Sequence, residues 1–213
     1  MGFVGRNGAG KSTTLKSILN MVHMDQGSVE FFGMEVKSHE RDIKQRIGYT
    51  GGAVDFYKKK KIKNLIDITK AFYKNWEDKT CEKYMEMFSL DAEKTPSELS
   101  EGMKVKLSLV LALSHGAELL LLDEPTSGLD PVSRNELLEI FKHLKSKGIS
   151  ILFSTHIVSD LEKCADEITY IRNGEIAYTG CISGFTGDQV SLENAIIKYE
   201  KEGLYEKFAD EGI

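Results

Sequence analysis

Short apolar runs alternate with amphipathic stretches along most of this chain, which predicts an α/β fold built on a largely parallel sheet. Gly2 to Val4 is the end of a strand, Gly5 to Ser12 a loop, and Thr13 to Met21 a helix. Ser28 to Phe32 forms a strand closed by Gly33, and Ile47 to Tyr49 a short strand before the Gly51-Gly52 break. From Phe56 to about Phe88 the period changes. Ile62, Leu65, Ile66, Thr69, Phe72 and Tyr73, then Tyr84, Met85 and Phe88, recur at helical spacing, so this stretch is a helical insertion. Its aromatics Phe56, Tyr57, Phe72, Tyr73 and Trp76 are most simply core, with a docking surface as the other reading.

Sheet texture returns at Leu119 to Leu122, an unbroken apolar run of the kind buried on both faces. Asp130-Pro131 is an N-cap followed by a first-turn proline. The helix it opens carries Leu137, Leu138, Phe141 and Leu144 on one face and stops at Gly148. Ile151 to Phe153 is the next strand. Ile168 to Ile171 and Glu175 to Tyr178 flank Asn173-Gly174, a two-residue hairpin turn. Ser191 to Lys201 is a closing helix. No internal repeat interrupts this order.

Composition narrows the class. With 213 residues, 41% hydrophobic and 29% charged, the chain suits one domain carrying a subdomain. A net charge of −5 argues against nucleic acid as the main partner. The run Lys58 to Lys61 with Lys63 is the local exception and is simplest as a solvated face. Cys81, Cys164 and Cys181 have no CxxC spacing, so neither a disulfide framework nor a zinc site is expected, and a reducing compartment fits. The apolar runs fall short of the roughly 20 residues that span a bilayer. Any membrane process therefore needs another chain to do the spanning.

Two segments carry chemistry. Gly5-Arg6-Asn7-Gly8-Ala9-Gly10-Lys11-Ser12 is Gly, four residues, Gly, Lys, Ser, lying between a strand and a helix. Its glycines let consecutive amides point at phosphate oxygens, and the helix start adds its positive dipole end. The expected nucleotide-binding residues are Asn7, Gly8, Ala9, Gly10, Lys11, Ser12 and Thr13. Lys11 can reach the β and γ phosphates, and the Ser12 hydroxyl can ligate Mg²⁺. Alone, this motif specifies an NTPase or a nucleotide kinase. The second segment, Asp123-Glu124, ends a buried strand where parallel sheets place ligands. Asp123 is positioned to hold Mg²⁺ through water, and Glu124 to deprotonate an attacking water. His156, in Ser154-Thr155-His156, ends the next strand and can touch the γ-phosphate.

In their order these motifs resemble the ATP-binding cassette (ABC) ATPases from Met1 to about Gly180. The Walker A loop is Gly5 to Ser12, and the Walker B strand is Leu119 to Asp123. Leu99-Ser100-Glu101-Gly102-Met103 resembles the signature, and Ser127-Gly128-Leu129-Asp130 the D-loop. Glu124 matches the catalytic glutamate and His156 the switch histidine. Phe72 to Asp78, with Ser100 to Lys104, further resembles small bacterial exporter ATPases often encoded beside a GntR-like regulator.

The resemblance implies a P-loop NTPase: a largely parallel core sheet, a partial antiparallel β subdomain and a helical insertion. It is expected as a single domain over 1–213. The core would be 1–52 and 118–180, the helical subdomain about 53–117, and the C-terminal helix about 191–202. ATP and Mg²⁺ are the implied cofactors. The implied catalytic residues are Glu124, His156 and Lys11; the metal-side residues are Ser12 and Asp123; the D-loop acid is Asp130. Ser100, a helix N-cap, and Gly102 would meet the γ-phosphate of a second subunit, sandwiching two ATP molecules. The implied partners are that second ATPase subunit and a separate polytopic membrane protein. The protein would then be cytoplasmic, held at the inner face of the membrane.

The match has departures. Glu101 and Met103 stand where many members carry glycine and glutamine; negative charge in a helix's first turn is favourable, so Glu101 is tolerated. Thr50-Gly51-Gly52-Ala53 has no glutamine where the family carries one. The family places two strands, with an adenine-stacking aromatic, upstream of the phosphate loop. The expectation is therefore that Met1 is not the physiological start and that Ser28 to Phe32 has an open edge, with Phe31 or Phe32 under-covered. Weighed against an exporter motor are a catalytically impaired regulatory fragment, a soluble ATPase of the DNA-repair type, and a translation-associated ABC protein.

Overall fold

The computed structural model describes residues 1–51, 57–187 and 191–210, with the backbone alone over 202–210. Nine α-helices and eight strands follow one another among these residues. The strands are β1 (Gly2–Val4), β2 (Glu30–Phe31), β3 (Met34–Glu35), β4 (Ile47–Gly51), β5 (Leu119–Asp123), β6 (Ser150–Thr155), β7 (Glu167–Arg172) and β8 (Glu175–Cys181). The helices are α1 (Lys11–Ile18), α2 (Val36–Lys44), α3 (Ile62–Lys70), α4 (Asp78–Met87), α5 (Glu101–Ser114), α6 (Pro131–Ser146), α7 (Val158–Cys164), α8 (Ile182–Thr186) and α9 (Leu192–Asp210).

Six strands form one sheet in the order β4-β5-β6-β1-β7-β8, parallel except for the β7–β8 hairpin. Strand periodicity sends alternate side chains to opposite faces, so the sheet divides the core in two. Val4, Leu120, Leu122, Ile168 and Tyr170 face a large cluster shared with α3 to α9. Ile47 and Leu121 face α1 and α2 with Leu19, Val36 and Ile43, and Phe3 and Ile171 enclose Ala9 and Leu15 on the same side. Burying Leu15, Leu120, Leu121 and Leu122 completely is worth about 2 kcal/mol each against leaving them in water.

Local chemistry sets the element ends. Asp130 caps α6 by accepting from the amides of Val132 and Ser133 at 2.9 and 3.0 Å, with Pro131 in the first turn. Asn173 and Gly174 both adopt positive φ, the geometry of a type I′ hairpin. Several boundaries differ from the sequence expectation. The Ser28 to Phe32 strand is only Glu30–Phe31, because Phe32 and Gly33, both at positive φ, turn the chain straight into β3. Among the described residues β3 is the one ladder partner of β2, and Phe32 lies half-exposed under the Arg46 guanidinium, 3.7 Å from its ring centre.

Nor does the helical period of the insertion carry through to Tyr73. Helix α3 ends at Lys70, and the Gln45 side chain takes up the freed backbone, bonding Phe72 O and Lys74 N at 2.9 and 2.8 Å. Phe72 and Tyr57 are therefore on the surface and not in the core, while Tyr73 stacks on His115 at 3.7 Å. Phe56 and the Gly52-Ala53 part of the glutamine-free stretch lie outside the described residues. No described helix is long and apolar enough to cross a membrane.

Candidate functional site: a phosphate-sized cleft at the strand ends

The sheet order puts β6 between β1 and β5, so three consecutive strands end side by side. The phosphate loop leaves β1, Asp123-Glu124 ends β5, and His156 follows β6. A cleft of about 330 Å³ opens there, lined by Asn7, Gly8, Gly10, Lys11, Ser12 and Thr13 on one wall and by Glu124, Ser127 and His156 on the other. A larger cavity, about 450 Å³, lies at the opposite, amino-terminal ends of the strands near Ser150 and Phe141 and holds none of these groups. Ligand sites of parallel sheets form at the carboxyl ends, so the smaller cleft is the candidate.

The loop is built for an anion. Helix α1 starts at Lys11 behind Gly10, whose φ is 110° and which has no side chain with which to cap the first-turn amides. No acidic residue occupies that turn, so the dipole's positive end is uncompensated. Ala9 turns inward, packed with Phe3, Leu15 and Ile171, and only its backbone serves the loop.

Lys11 is buried, and its ammonium donates to Gly5 O at 2.8 Å and Arg6 O at 3.3 Å while lying 3.2 Å from Glu124 Oε1. The other Glu124 oxygen meets His156 Nδ1 at 2.8 Å. One carboxylate thus links the cation of the loop to the imidazole of the neighbouring strand. Glu124 has φ of 50°, left-handed backbone that costs a non-glycine residue roughly 1–3 kcal/mol. Its amide is held by Ser154, by O at 3.2 Å and Oγ at 2.9 Å.

Asp123 is buried beneath the cleft on the α1 face of β5, and Ser154 Oγ donates to its Oδ1 at 2.6 Å. The Ser154 hydroxyl therefore ties both acids to β6. Ser154 stands two residues before His156 in the sequence, but its position between two acids in space carries no local signal. Nor does any local pattern mark Tyr49, whose hydroxyl is buried without a hydrogen-bond partner among the described residues. Leaving such a group unpaired costs about 1–3 kcal/mol. Burial, and then the charge of Asp123, push its phenol up from the ordinary value.

A third missed group braces the loop after Glu124. Asp160 of α7 is fully buried, accepting from Thr126 Oγ1 at 2.7 Å and pairing with Arg134 Nε of α6 at 2.6 Å. Ser100 caps α5, its Oγ accepting from Met103 N at 3.3 Å, and Gly102 is buried near Ser133. Neither lines the cleft of its own chain, and nor does Asp130, whose carboxyl is held below its ordinary value by Ser133 and the capping amides.

Whether Mg²⁺ suits this site can be judged from the donors. No cluster of three His, Cys, Asp or Glu side chains exists among the described residues. The groups at hand are hard oxygens, the Ser12 hydroxyl and the Asp123 carboxylate. Mg²⁺ is typically held by one or two such groups, with waters and substrate phosphates completing the shell. The donor set fits that pattern and not a metal caged by protein alone.

A parallel sheet with this loop defines a P-loop nucleotide-binding domain. The family model described as "ABC transporter" matches residues 1–127. The chain belongs to the ABC transporter family. It is 34% identical over 176 residues to the ABC transporter ATP-binding protein YtrB of Bacillus subtilis (strain 168), covering 82% of this chain and 60% of that one. It is 34% identical over 178 residues to the bacitracin transport ATP-binding protein BcrA of Bacillus licheniformis, covering 82% and 58%. The chain thus spans about three-fifths of the length of these curated relatives. A solved ATP-binding subunit of an ABC transporter superposes with TM-score 0.82 at 26% identity, covering 92% of this chain and 86% of that one. The ATP-binding cassette MJ0796, solved as a dimer in a post-hydrolysis state with ADP and Pi, shares the fold at TM-score 0.74 and 20% identity, covering 84% of each chain.

Proposed function

We propose that this chain is the ATP-binding and ATP-hydrolysing subunit of an ABC transporter, an exporter whose membrane-spanning part is a separate chain. The observation that carries the reading is the convergence of Lys11, Glu124 and His156 on one phosphate-sized cleft. The first-turn amides of α1 and Lys11 hold the β and γ phosphates. Ser12 and Asp123 would hold Mg²⁺, which would neutralise phosphate charge. Glu124 takes a proton from the attacking water as the water oxygen bonds to the γ phosphorus and the bond to ADP breaks. His156 orients Glu124 and contacts the γ-phosphate.

The placement of Ser100 and Gly102 away from their own cleft supports a head-to-tail dimer in which each signature completes the partner's site. A second ATPase subunit and a polytopic membrane protein are the partners in this reading, and the chain works on the cytoplasmic side. A relative named for Nod factor export, in Burkholderia orbicola (strain AU 1054), supports the export direction. Co-purification from native membranes tests the assembly. A spanning partner and Mg²⁺-dependent ATP hydrolysis, lost in Lys11→Ala, are expected. Hydrolysis that survives Lys11→Ala, or none in the partnered complex, overturns the proposal.

A further inference from the structure

The Tyr49 hydroxyl is a polar group placed where packing alone would be served by phenylalanine. The ring lies on the α1 face of β4 against the Ile47 and Leu121 cluster, and its hydroxyl is buried without a partner among the described residues. It folds forward along its own strand over Gly51. A Cβ added at Gly51 would sit 2.6 Å from the Tyr49 oxygen, so the absence of a side chain there is what admits the phenol.

Register fixes what lies beside it. Tyr49 pairs with Leu121 and Gly51 with Asp123 in the parallel β4–β5 ladder. Paired residues present their side chains on one face, and adjacent strands are about 4.8 Å apart. The phenol oxygen, lying over Gly51, is therefore held about one strand spacing from Asp123 on the face that Asp123 uses. On the other side of β5, Ser154 of β6 occupies Asp123 Oδ1. A phenol is protonated at neutral pH and can donate.

We propose that Tyr49 is a positioning residue for the metal side of the nucleotide site, its hydroxyl donating to the Asp123 carboxylate when MgATP is bound. Ser154 and Tyr49 then grip that carboxylate from the two neighbouring strands and fix the direction in which it meets the metal's shell. The inference rests on the proposed nucleotide function.

Binding of the fluorescent analogue mant-ATP tests it, titrated with Mg²⁺ and again in EDTA, together with thermal melting of the nucleotide-free protein. In Tyr49→Phe the half-saturating Mg²⁺ concentration should rise about tenfold, the size of one hydrogen bond to a charged acceptor. Affinity in EDTA should stay within about twofold and the melting temperature should not fall, since an unpaired hydroxyl has been removed and the ring kept. Gly51→Ala should raise the Mg²⁺ requirement too, because its methyl takes the hydroxyl's place. An unchanged Mg²⁺ requirement in Tyr49→Phe overturns the inference, as does equal weakening in Mg²⁺ and EDTA with a lower melting temperature, which would make the phenol part of the packing. Failure of the unaltered protein to bind mant-ATP in either condition would overturn the proposed function and this inference with it.

Discussion

Lys11 Nζ and Glu124 Oε1 lie 3.2 Å apart, a buried ammonium against a carboxylate that is one-fifth exposed. The carboxylate stands beside the cation that the proposed function assigns to phosphate. A phosphate arriving at Lys11 must therefore compete with it, and Glu124 must move away from the lysine before it can serve a water.

Glu124→Gln separates binding from turnover. The amide keeps the shape and removes the charge that competes for Lys11, so MgATP affinity should rise severalfold. Steady-state hydrolysis should fall roughly 10²–10⁴-fold with the general base gone, and an ATP-bound dimer should accumulate. Equilibrium nucleotide binding, phosphate release and size-exclusion chromatography measure the three effects. Hydrolysis at the unaltered rate would remove Glu124 from its role.

Ser100→Arg addresses the signature. Ser100 caps α5, so its loss costs about 1 kcal/mol of stability, and the arginine would block the face that the proposed function gives to a second subunit. Single-chain affinity for ATP should match the unaltered protein, while ATP-dependent dimerisation in the Glu124→Gln background should disappear. An affinity loss as large as that of Lys11→Ala would mean that the signature acts within its own chain.

Asp160→Ala tests the brace between α6, α7 and the Thr126 loop. It takes the carboxylate from Arg134, which keeps only Ser159 as a partner among the described residues, and leaves the Thr126 hydroxyl without its acceptor, for about 3 kcal/mol. In a chain of this size that lowers the melting temperature by roughly 6–12 °C. The Asp160→Leu, Arg134→Met pair should recover most of it, because two apolar groups leave no charge unpaired. A melting curve unchanged by Asp160→Ala would show that the ion pair contributes nothing net.

Thiol reactivity should rank by environment. The Ser183 hydroxyl donates to the exposed Cys181 sulfur and lowers its pKa, whereas burial and then Asp160 push Cys164 up to about 11. The thiolate is the reactive form. Mass spectrometry after alkylation should find Cys181 modified first at pH 8. Its rate should level off at lower pH than that of an ordinary thiol, while Cys164 should still be gaining rate toward pH 11. Faster reaction at Cys164 would contradict the described packing of α7.

The parts legible in the sequence were those encoded by neighbours along the chain. The Gly-x₄-Gly-Lys-Ser loop, the Leu119 to Leu122 strand, the Asp130-Pro131 cap and the Asn173-Gly174 turn each need only a few adjacent residues. What escaped depends on partners far away in sequence. The end of α3 is stabilised by Gln45, 27 residues from Phe72. Helix α2 carries no clear apolar period, because only Val36 and Ile43 of its nine residues are buried, and His39 breaks its helical geometry. At the site, Lys11, Glu124 and His156 were each identifiable, but Ser154, Tyr49 and Asp160 act through contacts made by sheet register or helix packing, which no local pattern announces.

The backbone at Glu124 also bears on how this domain could be improved. A left-handed φ is a position that glycine fills without strain and that glutamate occupies at a penalty. A redesign that scored backbone strain alone would exchange it, and the empty protein would shed that strain. That gain would come from discarding the carboxylate that links Lys11 to His156. Backbone strain is therefore a misleading objective at this residue, because the strained position is the one from which a single carboxylate reaches both the lysine and the imidazole.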